Sequence, residues 1–197
     1  MLARSSQLPL SGDYAYEPKW DGFRALVSTV DGLRVRSRRG WNMTGLVPEL
    51  AGLPDRRVFD GELVAFGPDG LPSFPLVCRR LLQRDARVPI VFVIFDLLEL
   101  DGESLVTLPY RYRRARLDEL GLAGRCWQTS PVFDDGDALF EVVCERGLEG
   151  IVAKLRSEPY RSGERAWVKV KNRAYWRYPL EACRCTGATA PARDYLT

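Results

Sequence analysis

Four lysines and no histidine define the chemistry open to this 197-residue chain. Without imidazole there can be no Ser-His-Asp triad, Cys-His dyad or His-bearing zinc site, so acid, base and nucleophile must come from carboxylates, amines or thiols. Of the 29 basic residues only Lys19, Lys154, Lys169 and Lys171 are lysine. A general drift toward arginine explains the depletion but not where lysine survives. Arginine keeps its proton near neutral pH, whereas a lysine amine can be made neutral and nucleophilic by burial or by cationic neighbours.

The segments around these lysines carry further reactive groups. Glu17-Pro18-Lys19-Trp20-Asp21-Gly22-Phe23-Arg24 sets an amine at a strand end, an Asp-Gly turn beyond it, and a guanidinium that can reach the same phosphate. Trp167-Val168-Lys169-Val170-Lys171 places two cations on one face of a strand, an arrangement that suits a polyanion or a solvated edge. Glu149 through Lys154 opens on a carboxylate and ends on an amine, and Asp60-Gly61-Glu62 sets carboxylates inside an apolar strand, where an unpaired charge is costly.

These groups need a scaffold, and the N-terminal half reads mostly as strands. Tyr14–Lys19, Phe23–Val30 and Leu33–Arg38 alternate apolar and polar residues, with a hairpin turn at Asp31-Gly32. Val58–Phe66 and Pro89–Leu98 are rich in Val, Ile and Phe and read as core strands. Helical spacing appears at Pro75–Arg84, Tyr110–Leu120 and Asp137–Arg146, the last closed by Gly147. Gly150–Leu155 and Ala166–Asn172 complete the strands. The expectation is one α+β domain over residues 1–175, with a short, loosely ordered tail over 176–197.

In order along the chain, the segments resemble the covalent nucleotidyltransferase superfamily, and within it the adenylation domain of ATP-dependent DNA ligases. Lys19-Trp20-Asp21-Gly22-Phe23-Arg24 is similar to that family's nucleophile motif, and Ser37-Arg38-Arg39-Gly40 to the element that follows it. Phe59-Asp60-Gly61-Glu62-Leu63, Val93 through Leu98, Glu149 through Lys154 and Trp167 through Lys171 are similar to the rest of the set. The wording around Lys19 and Phe95 most resembles the ligase module of bacterial end-joining ligases.

The resemblance implies an ATP-grasp-like nucleotidyltransferase domain, mostly antiparallel sheets flanked by helices with the nucleotide pocket between them. It implies that Lys19 attacks the α-phosphate of ATP to form a lysine-AMP intermediate, whose AMP passes to a DNA 5′-phosphate for sealing of a nick or break. Glu17, Arg24, Arg38, Glu62, Phe95, Lys154, Lys169 and Lys171 are the expected nucleotide-binding residues. Phe95 would stack on adenine, Glu17 would lie by the purine edge, Arg24 and Arg38 would hold phosphate and ribose, and Glu62 would touch the ribose. Glu62 and Glu149 are the expected holders of Mg²⁺ or Mn²⁺. A GTP-dependent capping-type enzyme and a non-catalytic nucleotide- or DNA-end-binding module stand as alternatives.

The expected partner is nicked or broken double-stranded DNA bearing a 5′-phosphate. Too few residues follow Lys171 for an OB barrel, so a separate OB domain or end-joining protein is expected to act alongside. Arg79, Arg80, Arg84 and Arg87, with Arg111 to Arg116, are candidates to grip DNA phosphates or to form solvated helix faces. A formal net charge of +3 favours neither. The odd number of scattered cysteines suits a reducing compartment, and no apolar run is long enough to span a bilayer, so a cytoplasmic protein is expected, and the resemblance implies association with the nucleoid while it acts on DNA.

Overall fold

A computed structural model of the chain describes residues 1–177, so the expected tail lies outside the described residues save for Trp176 and Arg177. The strands are β1 (Ala3–Ser5), β2 (Tyr14–Pro18), β3 (Phe23–Ser28), β4 (Arg34–Ser37), β5 (Arg57–Val64), β6 (Val91–Leu100), β7 (Glu103–Ser104), β8 (Trp127–Thr129), β9 (Gly150–Leu155) and β10 (Trp167–Lys171). The helices are α1 (Phe74–Leu81), α2 (Tyr110–Glu119) and α3 (Gly136–Glu145), with short 3₁₀ turns at Thr44–Leu46 and Pro48–Gly52.

The strands form two sheets, ordered β1-β10-β9-β2 and β4-β3-β5-β6-β7, with β8 joining the second beside β6. Pairing is antiparallel except where β1 runs parallel to β10 and β8 parallel to β6. Alternation gives each sheet an apolar outer face. On the first, Tyr16, Ile151, Ala153 and Val168 bury against Leu139 and Val143 of α3. On the second, Ala25, Val27, Phe59, Leu63 and Ile94 pack against Val77 and Leu81 of α1 and Leu117 of α2. The inner faces are left for polar residues, and a cleft opens between them.

Two local devices shape that cleft. Gly22 packs so closely on the Leu63 carbonyl that any Cβ would collide with it, and Gly150, at φ +152°, packs equally hard on the Val170 carbonyl. These glycines bring β3 and β9 up to the flanks of Lys19. A β-bulge in β6 does the rest. Asp60 pairs with Asp96 and Gly61 with Ile94, which leaves Phe95 as the extra residue. The bulge breaks the alternation and turns the Phe95 ring into the cleft between core-facing Ile94 and Leu97.

Candidate functional site

Lys19 follows the last residue of β2, and its N–H donates to the Gly150 carbonyl at 2.8 Å. Its ammonium lies 2.5 Å from Glu149 Oε1, and the Glu149 side chain is only 4% exposed. Neither Glu149 oxygen accepts a hydrogen bond of acceptable geometry among the described residues. The next residues are pinned as well: the Trp20 indole donates to Ser130 Oγ at 3.0 Å, and Asp21 accepts from the Tyr175 hydroxyl at 2.6 Å and from Arg177. Arg177 also lies over the Phe74 ring at 3.6 Å. Tyr175 and Arg177 thus both contact the segment that follows Lys19.

The cleft beside Lys19 has a volume of about 600 Å³, within the usual range for a ligand of nucleotide size. One end is aromatic. Phe95 and Trp167 meet edge to face with centroids 5.7 Å apart. Lys154, buried at 2% exposure, sits 4.6 Å from the Phe95 centroid, 4.5 Å from Trp167 and 5.0 Å from Tyr110. It donates to the Phe95 carbonyl at 2.9 Å, which satisfies the main-chain oxygen freed by the bulge. Its charge partner is Glu17 Oε1 at 2.5 Å, and the same oxygen accepts from the Tyr110 hydroxyl at 2.6 Å. Burial lowers the Lys154 pKa against the pull of Glu17, and burial together with Glu17 raises that of Tyr110 far above its ordinary value.

The other end is charged. Glu62 on β5 lies opposite Arg24 on β3. Burial pushes the Glu62 carboxyl up to about 8 against the opposing pull of Lys19 and Arg24. Arg24 lines the cleft but its fork is occupied: Nε and Nη2 donate to Asp60 at 2.9 and 2.5 Å, and Nη1 donates to the Met1 carbonyl. Asp60 is fully buried and also accepts from the Tyr160 hydroxyl at 2.8 Å. Burial works against the Arg24 charge, yet Asp60 holds the guanidinium more firmly protonated than usual. Arg38, on the turn after β4, is exposed and lines the cleft mouth.

Lys169 lines the cleft as well, in register with Val152. Lys171 pairs with Gly150 farther along β10 and is not a lining residue of this cleft. The structure therefore brings Glu17, Lys19, Arg24, Arg38, Glu62, Phe95, Lys154 and Lys169 to one cavity. Glu149 joins Lys19, Arg38 and Glu62 in an adjoining cleft of about 550 Å³.

Glu62 and Glu149 are the carboxylates that the adjoining cleft would offer a divalent cation. No cluster of three or more His, Cys, Asp or Glu side chains that could hold a metal occurs among the described residues. Magnesium does not require one, because it commonly takes one or two carboxylates and completes its shell with water and phosphate oxygens. The two buried oxygens of Glu149, which accept no hydrogen bond among the described residues although Oε1 is ion-paired with Lys19, are the feature that such an ion would satisfy.

The arginine clusters divide differently from expectation. Arg80 is buried, forks onto Glu49 at 2.8 Å and donates to three main-chain carbonyls. Arg113, with no exposure, forks onto Asp96 at 2.8 Å. Both are core struts and cannot reach DNA. Arg79 and Arg87 pair with Asp85, Arg114 with Asp118 and Arg116 with Glu119 at the surface. Tyr110, Tyr160 and Tyr175 are site residues whose roles no local pattern announces. Their partners lie 93, 100 and 154 residues away.

Residues 1–171 match the family model described as the ATP dependent DNA ligase domain. The multifunctional non-homologous end joining DNA repair protein LigD of Mycobacterium tuberculosis is 39% identical over 172 residues, covering 82% of this chain and 22% of that protein. The SPbeta prophage-derived DNA ligase-like protein LigB of Bacillus subtilis is 32% identical over 182 residues, covering 89% of this chain and 67% of that protein. The solved ligase domain of Mycobacterium tuberculosis LigD superposes with a TM-score of 0.71 at 35% identity, covering 80% of this chain and 54% of that one. A mycobacterial DNA ligase D complexed with ATP gives 0.69 at 31% identity, covering 86% and 60%.

Proposed function

The chain belongs to the ATP-dependent DNA ligase domain family, and from that premise we propose that it is a DNA ligase-type adenylyltransferase. The Lys19 nitrogen attacks the α-phosphate of ATP. A phosphorus–nitrogen bond forms, the bond to the bridging oxygen breaks, pyrophosphate leaves, and the amine proton goes to solvent. AMP then passes to the 5′-phosphate of nicked or broken double-stranded DNA, and a 3′-hydroxyl displaces it to close the strand. The observation that carries this reading is the placing of Lys19, which is fixed through its main chain at the mouth of a nucleotide-sized cleft and touches an otherwise unsatisfied Glu149.

The other residues take roles that follow from their positions. Phe95, re-aimed by the bulge, offers a ring for the base at the aromatic end. Glu17 meets the purine edge. Arg38 and Lys169 reach the phosphates and ribose, Lys171 lends positive charge from the same strand, and Arg24 supports the cleft wall from Asp60 while presenting its face to the cavity. Glu149 and Glu62 would hold Mg²⁺ or Mn²⁺, which when bound neutralises phosphate charge. The chain spans 22% of the mycobacterial LigD's length, and a separate OB domain or end-joining protein is proposed to assist it on DNA. No described helix is long and apolar enough to cross a membrane. The proposed setting is the cytoplasm, at the nucleoid during repair.

The test is intact mass after incubation with Mg²⁺ and ATP, GTP or NAD⁺. Addition of one AMP from ATP alone, mapped to Lys19, is the expected result. A guanylyl adduct, or no adduct together with no ATP binding, overturns the reading.

A further inference from the structure

Trp41 leaves an aromatic ring in water near the nucleophile. The residue is 39% exposed, although tryptophan is highly buried on average. Its main chain is firmly held. The Trp41 N–H donates to Ser37 Oγ at 3.1 Å, the Ser37 N–H donates to the Trp41 carbonyl at 2.9 Å, and Gly40 takes up the turn between them at φ +85°. Trp41 also ends a row of rings. It meets Phe23 edge on with centroids 6.3 Å apart, and Phe23 stacks on Phe74 at 5.5 Å with the ring planes 4° from parallel. The Arg177 guanidinium lies over Phe74, so the row is covered at that end and open at Trp41.

The rings line the cleft of about 550 Å³ that also holds Lys19, Glu149, Arg38 and Arg39. Arg38 and Arg39 are exposed, and neither forms an ion pair among the described residues. An open ring beside uncommitted guanidiniums is the combination that binds unpaired nucleic acid, because every base has a face to stack and every linkage a phosphate to neutralise.

We propose that Trp41, with Arg38 and Arg39, forms a landing site for the unpaired terminal nucleotide of a broken DNA strand and brings its 5′-phosphate to Lys19. This inference rests on the reading that AMP passes from Lys19 to such a phosphate, and it names the kind of end that the cleft receives best. A base can stack on Trp41 only if one of its faces is free. An unpaired 5′ end offers that face, whereas the bases that flank a nick stay stacked in the duplex. The ring therefore favours an unpaired end over a nick. Phosphate contacts alone give no such preference, since both substrates present the same backbone.

Fluorescence anisotropy on the 197-residue chain, with two 5′-phosphorylated probes and no ATP, reads this without turnover. One probe is a duplex with a short unpaired 5′ end, the other is a nicked duplex, and all remaining ends are closed by base-free linkers. The parent is expected to bind the unpaired end more tightly. Trp41→Leu keeps apolar cover over Phe23 but has no ring, and should lose about fivefold or more on the unpaired end while staying near the parent on the nick. Trp41→Phe should recover most of the loss. The ring carries no charge, so Trp41→Leu should leave the slope of log affinity against log salt unchanged, whereas Arg39→Ala should lower it by about one. The ratio of the two affinities within one variant is insensitive to its folded fraction.

A parent that binds the two probes alike, or a leucine variant whose loss is absent or equal on both, overturns this inference and leaves the ligase reading standing. A parent that binds neither probe overturns the DNA assignment together with it.

Discussion

The Lys19 ammonium and the Glu149 carboxylate meet at 2.5 Å, and the residue after Glu149 accepts the Lys19 N–H at 2.8 Å. Nucleophile and carboxylate are thus built as one unit, with the strand pairing of β2 and β9 carrying both. The arrangement holds the lysine in an ion pair with Glu149, and the proposed attack on phosphate requires that pair to open.

Lys19→Arg tests the nucleophile. The guanidinium preserves the charge beside Glu149 but cannot lose its proton near neutral pH. The expected outcome is loss of the acid-labile AMP adduct by intact mass with ATP affinity retained within a few-fold. An arginine variant that still forms the adduct would show that another group attacks.

Glu149→Ala separates a metal role from a structural one. Removing Glu149 relieves the burial of a carboxylate that accepts no hydrogen bond among the described residues but also takes away the ion pair of the part-exposed Lys19 ammonium. The two effects oppose, so the melting temperature should move by no more than a few degrees, at roughly 2–4 °C for each kcal/mol. Metal-dependent adenylation should nonetheless fall by at least about a hundredfold. Glu62→Ala is expected to lose adenylation in the same way. A large drop in melting temperature of the ligand-free Glu149 variant would mark that residue as a structural partner of Lys19 instead.

Arg24 and Arg38, both expected to hold phosphate and ribose, sit in different settings: Arg24 is paired with buried Asp60, and Arg38 is exposed at a turn. Asp60→Ala would leave Arg24 charged and unpaired in the interior, at a cost of about 3–5 kcal/mol. Arg38→Ala, at an exposed turn, should change stability by less than about 0.5 kcal/mol. Its effect should appear in nucleotide affinity, and chemical denaturation beside calorimetric titration distinguishes the two.

Local chemistry in the sequence was enough to place most of the fold. The β3–β4 turn is at Gly32, with φ +81°, though the loop is longer than two residues because the pairing of the two strands ends at Ser28 and Arg34. The helix expected at Asp137–Arg146 begins one residue earlier, where Asp135 caps the Ala138 N–H at 3.0 Å. The strands that escaped notice are short: β1, β7 and β8 have no room for alternation and exist by pairing with β10 and β6. The same limit applies to the site. Lys19, Glu62 and Glu149 sit in recognisable words, but Arg80 and Arg113 look like any other surface arginine until their carboxylates, on other elements, are seen. A pairing between distant elements leaves no periodic trace in either one.

Phe95→Ala is expected to weaken ATP binding by about 1–3 kcal/mol if base–aromatic stacking values carry over. The ring also lies against Trp167 and Lys154, so some loss of stability should accompany it. Phe95→Tyr should be mild in both. Equal ATP affinity for parent and alanine variant would put the ring's value in the fold alone.

The last expectation concerns Tyr175, whose hydroxyl donates to Asp21 Oδ2 at 2.6 Å from a segment just beyond β10. Asp21 is 5% exposed and stands two residues after the nucleophile, so whatever holds it also holds the turn that aims Lys19. In Tyr175→Phe the ring still fills its buried site but Oδ2 loses its donor, while Arg177 keeps Oδ1. The direct cost should be about 1–3 kcal/mol, the range for a buried polar atom left unpaired. If Tyr175 acts through Asp21, the adenylation rate should fall while ATP affinity stays near the parent's, because the nucleotide cleft is untouched and only the aim of the amine is loosened. A double-mutant cycle with Asp21→Asn makes the connection measurable. Single-turnover adenylation in the parent, both single variants and the pair should show the two changes failing to add by more than about 0.5 kcal/mol, the margin within which independent sites combine. Additive effects would mean that Tyr175 serves the fold without positioning the turn.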